Sequence, residues 1–255
     1  MRTVLITGAS SGIGEACAEL LASENKYRLL LCARRTSKLL ELKEKIIKNY
    51  PDCDIHVFTL DVRDQIKVKE AFQELPHTWQ HIDVLINNAG LSQGLDLIQE
   101  ASIDDWDRMI DTNLKGLLYV TKHCLPYMEN SKNAHIINLG SIAGKEVYLR
   151  GNVYCATKHA VDALNKAMRI DLLEKGIKVS SVNPGMVETE FSEVRFKGDK
   201  NRAKEVYKDL VPLSAIDIAE IIAFILSRPA HVNINDLLVM PTAQATGTIV
   251  KREKE

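Results

Sequence analysis

Tyr154 and Lys158 stand four residues apart in Tyr154-Cys155-Ala156-Thr157-Lys158, and Ser141 lies thirteen residues upstream of the tyrosine. Four residues is about one helical turn, so on a helix both side chains share a face. A phenol beside an ammonium is a route to an acidified tyrosine: free tyrosine titrates near ~10, and a cation within a few ångströms favours the phenolate. Such a group exchanges a proton with an alcohol or ketone near neutral pH. Alone the spacing says little, because most Tyr-x-x-x-Lys pairs are solvated helix faces. Ser141 sits just past an apolar run, where its hydroxyl can hold a substrate oxygen against Tyr154. The plainer alternative is a loop serine bonding its own backbone. Asn113 falls inside a predicted helix, where asparagine is a poor former. A buried amide with all its bonds made is the alternative there.

The elements that must position these residues alternate along the chain. Apolar runs predict buried parallel strands at 3–7, 28–33, 55–60, 84–87, 135–139, 178–182 and 237–240. Helical periodicity fills the intervals at 13–23, 37–49, 66–75, 104–128, 154–174 and 216–226. This alternation predicts one α/β domain over 1–255, a doubly wound parallel sheet of about seven strands with helices on both faces. The segment 186–212 is polar, rich in Lys, Glu and Arg, and lacks a buried strand. It is predicted to be a helical lid over the strand ends.

The first strand runs into Gly8-Ala9-Ser10-Ser11-Gly12-Ile13-Gly14. Glycines there let the backbone approach a pyrophosphate, and the N-terminus of the following helix favours its charge. The spacing is G-x-x-x-G-x-G, unlike G-x-G-x-x-G, so a plain tight turn is the competing reading. An NAD site places an acidic residue near the end of strand two for the ribose 2′-hydroxyl. Here that strand ends in Cys32-Ala33-Arg34-Arg35, with two guanidiniums and no carboxylate. Arginine grips phosphate with a rigid donor fork, which favours NADP(H). A surface Arg pair at a helix start is the alternative. Asp61 and Val62 end strand three, and Asn88-Ala89-Gly90 follow strand four. Both fall where open α/β sheets bind ligands, with Asp61 able to accept from an adenine amino group and Ala89 useful only for its size.

Bulk properties restrict the function class. The chain has 255 residues, 45% hydrophobic and 26% charged, with net charge −1, so no basic excess points to nucleic acid or an anionic membrane. The run 251–255 mixes bases with acids and reads as a solvated tail. Five cysteines are an odd number, form no C-x-x-C and sit mostly in apolar segments, which fits a reduced, cytoplasmic setting. No signal peptide or membrane span is expected, and no metal site is assigned.

Taken together, Thr7-Gly8-x3-Gly12-x-Gly14, Asn87-Asn88-Ala89-Gly90, Asn113, Ser141, Tyr154-x3-Lys158 and Asn183-Pro184-Gly185 resemble the short-chain dehydrogenase/reductase family over essentially the whole chain. Further stretches resemble its NADP-dependent 3-hydroxy acid dehydrogenase subgroup, among them Gly151-Asn152-Val153-Tyr154 and Glu190-Phe191-Ser192-x-Val194-Arg195-Phe196-Lys197-Gly198-Asp199. The resemblance implies a Rossmann-like fold, a homotetramer, and hydride transfer between NADP(H) and serine, allo-threonine or 3-hydroxypropionate. It implies Tyr154 as the acid/base, Lys158 lowering its pKa and bonding the nicotinamide ribose, Ser141 holding the substrate oxygen, and Asn113 kinking its helix and holding a water that leads to Lys158. Pro184 and Gly185 would wall the nicotinamide, with Val187 and Thr189 reaching the carboxamide and phosphate. For a substrate carboxylate, Arg195, Lys197 and Arg150 are candidates, and Arg195 is favoured because Arg can make two bonds. A general carbonyl or 3-oxoacyl thioester reductase is the alternative enzyme. A non-catalytic NADP(H) sensor or scaffold is the alternative from another class.

Overall fold

The computed structural model describes residues 1–252. Seven parallel strands form its sheet: β1 (Arg2–Thr7), β2 (Tyr27–Ala33), β3 (Ile55–Thr59), β4 (Val84–Asn87), β5 (His135–Leu139), β6 (Lys178–Pro184) and β7 (Asp236–Val239). Their spatial order is β3-β2-β1-β4-β5-β6-β7, so the winding direction reverses between β1 and β4. Crevices at such a reversal, outside the carboxyl ends of the strands, are where this architecture binds ligands.

Alternation along each strand serves two cores. Val4 and Ile6 of β1 and Leu29 and Leu31 of β2 pack with Val84, Ile86, Ile137 and Val182 against α1 (Gly12–Ser23), α2 (Thr36–Asn49) and α9 (Ala215–Leu226). Leu5, Leu30, Leu85 and Ile136 face the other way, against α3 (Gln65–Gln73), α5 (Leu117–Met128) and α6 (Asn152–Asp171). Apolar side chains on both faces are why the central strands read as unbroken hydrophobic runs. β7 is an edge and alternates exposed with half-buried residues. The remaining helices are α4 (Ile103–Ile110), α7 (Phe191–Arg195) and α8 (Lys200–Glu205).

The predicted helix 104–128 is not continuous. Between α4 and α5 a wider π-helical turn spans Asp111–Gly116 and carries Asn113. Periodicity does not register an extra residue in a turn; the kink expected at Asn113 takes this form. The tail expected to be solvated is partly engaged: Arg252 donates to the backbone carbonyls of Val206 and Lys208. Residues 253–255 of that charged run lie outside the described residues. No described helix is long and apolar enough to cross a membrane.

Candidate active site

A cleft of about 650 Å³ opens at the carboxyl ends of the strands. The predicted cofactor residues Gly8, Ser10, Ser11, Gly12, Ile13, Arg34, Arg35, Asp61, Val62, Asn88, Ala89, Gly90, Pro184, Gly185, Val187 and Thr189 line it, together with Ser141, Tyr154, Lys158 and Arg195. Gly14 and Asn113 do not.

Gly8 and Gly12 have φ of +65° and +57°, which only glycine adopts freely, so the turn between β1 and α1 keeps its backbone bare toward the cleft. Gly14 stands behind that wall. A Cβ there would lie 2.5 Å from Asn88 Nδ2 and 2.6 Å from Gly8 O, so this glycine serves close packing. The Asn88 amide donates to Thr7 O at 2.8 Å and Gly8 O at 3.2 Å, pinning the turn to the end of β4. Asp61 is gripped by Arg63, with Nε at 2.9 Å and a terminal nitrogen at 2.6 Å. Those bonds hold the Asp61 carboxyl below the usual carboxylate range despite burial.

Ser141 is buried at the start of a single 3-10 turn, Ile142–Gly144, and its Oγ accepts from Ala143 N at 3.1 Å. It therefore bonds its own backbone and also stands beside Tyr154, where its hydroxyl stabilises the phenolate. α6 presents Tyr154 and Lys158 one turn apart, both buried. The Asn113 amide is fully engaged: its oxygen accepts from Leu91 N at 2.8 Å, and its nitrogen donates to Leu91 O at 2.8 Å and Thr157 Oγ1 at 3.1 Å.

Burial dominates the electrostatics of the Tyr154/Lys158 pair. Burial pushes the Tyr154 phenol above its ordinary value, and Tyr148 adds to the rise; Arg195 and Ser141 oppose it. Lys158 Nζ donates to Leu139 O at 2.8 Å, and burial pulls its pKa down to about 8. Desolvation lowers that amine's pKa yet leaves it largely protonated at neutral pH, and the Tyr-x-x-x-Lys spacing does not report how dry the shared face is.

The cation on the phenol is Arg195. Its guanidinium carbon is 5.2 Å from the Tyr154 ring centroid and 5.2 Å from that of Phe191, and it donates to Tyr148 Oη at 3.3 Å. Arg195 Nε is buried without a partner among the described residues. The other two candidate cations are placed differently. Lys197 pairs with Asp105 at 2.8 Å, and Arg150 is exposed and lines only a small neighbouring hollow.

Several contributors were not legible in the sequence. Tyr148 receives Arg195. Lys145 joins Asp162 of α6 at 2.6 Å to Asp236 of β7 at 2.5 Å, tying the Ser141 turn to the catalytic helix. Glu146 accepts from Gly247 N at 2.7 Å, and Gln244 Oε1 from Met186 N at 2.8 Å, so the segment after β7 folds back to line the cleft. The charged segment 145–150 would have signalled these pairings only if its distant partners were known.

Residues 2–200 match the profile of the short chain dehydrogenase family. The NADP-dependent 3-hydroxy acid dehydrogenase of Schizosaccharomyces pombe is 43% identical over 253 residues, covering 99% of this chain and 97% of that protein. Sulfoacetaldehyde reductase 2 of Chromohalobacter salexigens is 43% identical, covering 95% of each. The closed form of a serine dehydrogenase complexed with NADP+ superposes with a TM-score of 0.91 at 39% identity, covering 99% of this chain and 100% of that one. With the switch-point cleft, the bare glycine turn and Tyr154 beside Ser141 already in place, these matches establish that the chain belongs to the short-chain dehydrogenase family.

Proposed function

We propose that this protein is an NADP-dependent oxidoreductase that transfers a hydride between the nicotinamide and a small 3-hydroxy acid of the serine, allo-threonine or 3-hydroxypropionate type, or the matching carbonyl. The residues present fit the cofactor. The turn at Gly8 and Gly12 bares its backbone where a pyrophosphate needs close approach, at the start of α1. Arg34 and Arg35 border the cleft where a 2′-phosphate would lie. When bound, NADP(H) supplies or accepts the hydride.

The chain itself handles proton, position and charge. Tyr154 is the acid/base: as a phenol it donates to a nascent alkoxide in reduction, and as a phenolate it takes the hydroxyl proton in oxidation. Ser141 fixes the substrate oxygen beside it. Lys158 is held for the ribose side of the cleft, and Asn113 braces Leu91 and Thr157 beside it.

The single observation that carries the substrate class is Arg195, a half-buried guanidinium in the cleft and against Tyr154. A cation there suits an acid whose charge lies a short carbon chain from its carbinol. Relatives named for a 3-hydroxy acid and for sulfoacetaldehyde share that chemistry, a small anion beside a carbinol or carbonyl. Serine, allo-threonine and 3-hydroxypropionate should be oxidised with NADP+, and acetoacetyl thioester should be a poor substrate with NADPH. Turnover of the thioester alone would favour the general reductase. Binding of NADPH with no turnover of any of them would favour the sensor.

In the same reading, 186–212 is a lid, supported by the lining contributed by α7 and its neighbours. A homotetramer is supported by the exposed Leu118, Ile170 and Leu173 on and just beyond α5 and α6. A cytoplasmic setting is supported by five buried, unpaired cysteines.

A further inference from the structure

The sequence treats Arg34 and Arg35 as a pair, and the structure separates them. Arg35 is engaged on both sides of its guanidinium. Its Nε donates to Ser10 Oγ at 3.3 Å, and one terminal nitrogen donates to Ser11 Oγ at 2.7 Å and to Ser10 O at 3.3 Å. The other terminal nitrogen donates to Glu190 Oε2 at 2.8 Å, across 155 residues of chain. Arg34 is exposed, lines the same cleft and takes no part in that set.

Glu190 is the residue just before α7, and Thr189 before it sits against Gly12, with its methyl 3.3 Å from where a Cβ on Gly12 would be. The other residues of interest on α7 are Phe191, 5.7 Å from the Tyr154 ring, and Arg195, over the same ring. One short helix therefore runs from the phosphate turn to the acid/base and carries the cation assigned to the substrate.

Two jobs are open to Arg35: gripping a phosphate, or fastening this helix. The surroundings favour the second. A guanidinium meets a phosphate with two parallel bonds along either of two edges, Nε with one terminal nitrogen or the two terminal nitrogens together. In Arg35 the first already faces Ser10 and Ser11, and the second is divided between Ser11 and Glu190. Carboxylates flank the position as well, since Glu190 is close enough to Glu15 to raise its pKa. A dianion entering there meets negative charge. The carboxylate near Arg34 is Asp61, already neutralised by Arg63.

We propose that Arg35 and Glu190 form a latch that fastens the start of α7 to the phosphate turn, and that Arg34 alone is the cation reserved for the 2′-phosphate. The second half rests on the NADP(H) reading; the latch does not. Both latch side chains are about half exposed, at 46% and 47%, so breaking the pair should change rates by about two- to fivefold.

Glu190→Gln and Arg34→Ala separate the jobs. Without nucleotide, limited trypsin digestion should cut at the exposed lid cations Lys197, Lys200, Arg202 and Lys204. In Glu190→Gln that cleavage should quicken about two- to fivefold, and NADPH release followed by stopped-flow fluorescence should quicken similarly. Its affinity for adenosine 2′,5′-bisphosphate should stay within about twofold of wild type. Arg34→Ala should lose about tenfold or more on that bisphosphate, with 5′-AMP unaffected. Unchanged cleavage and release in Glu190→Gln would remove the latch. Bisphosphate binding tightened about fivefold or more by Glu190→Gln would instead make Glu190 a competitor for a phosphate held by Arg35. If wild type binds the bisphosphate no better than 5′-AMP, the cofactor reading fails, and the nucleotide-free digestion still decides the latch.

Discussion

Tyr154→Phe should lower kcat for hydroxy acid oxidation by about 10³-fold or more, equivalent to about 4 kcal/mol of transition-state stabilisation, while NADPH affinity stays within about threefold. The substitution is selective because of how the ring is held. Phe191 and Arg195 contact its face, and phenylalanine keeps that face. Ser141 retains its bond from Ala143 N, so the turn that carries it keeps its cap. Only the exchangeable proton is lost. Lys158 is one turn away, but its Nζ is directed to Leu139 O. Steady-state rates with NADP+ and fluorescence titration of NADPH check both halves of the expectation. A variant retaining a tenth of wild-type kcat would take proton transfer away from Tyr154.

The second large effect concerns stability and lies at the far end of the sheet. His135 opens β5 and is buried, with Nε2 2.8 Å from Ser180 Oγ and Nδ1 unpartnered among the described residues. Burial, with Lys178 and Arg2 adding positive charge, pulls its pKa down to about 3. The folded protein therefore keeps a neutral ring where the unfolded chain, titrating near 6.5, takes up a proton. This contribution to stability is complete above pH 6.5 and is lost as pH falls toward 3. At two pH units below the unfolded value the loss is about 3 kcal/mol, and the full loss is of the order of 5 kcal/mol. Urea unfolding at pH 7 and pH 4.5, at one protein concentration, should show this drop in wild type. His135→Gln should shrink it by about 3 kcal/mol. Equal acid sensitivity in the two proteins would mean that His135 is protonated in the fold, or that the unfolded chain does not gain the proton.

The sheet was legible because its central strands carry apolar side chains toward two cores, and β1 to β6 fall within a few residues of their predicted limits. The phosphate turn was legible because Gly8 and Gly12 need positive φ, and Ser141 because its place at a strand end is itself a signal. Much of what escaped has a common physical origin, the long-range pairing of polar groups. Nothing local in Glu190 names Arg35, and nothing in Gln244 names the backbone of Met186. The π-helical turn at Asp111–Gly116 escaped because a widened turn leaves the hydrophobic stripe nearly intact. The place of Lys158 one turn from Tyr154 was legible, but spacing puts two side chains on one face without stating how dry that face is. Gly14 was read as touching the cofactor and instead packs the turn against Asn88.

In the proposed function, an anion held by Arg195 presents a neighbouring carbinol to Tyr154. The most direct measurement is kcat/KM with NADP+ for 3-hydroxypropionate and for its methyl ester, in wild type and in Arg195→Ala. A charge-assisted bond lost from a dry site is worth about 1.5–3 kcal/mol, so wild type should prefer the acid by about 10- to 150-fold. Arg195→Ala should bring acid and ester to within about threefold of each other, mainly through KM for the acid. Equal use of acid and ester by wild type, or an undiminished preference in Arg195→Ala, would contradict the account.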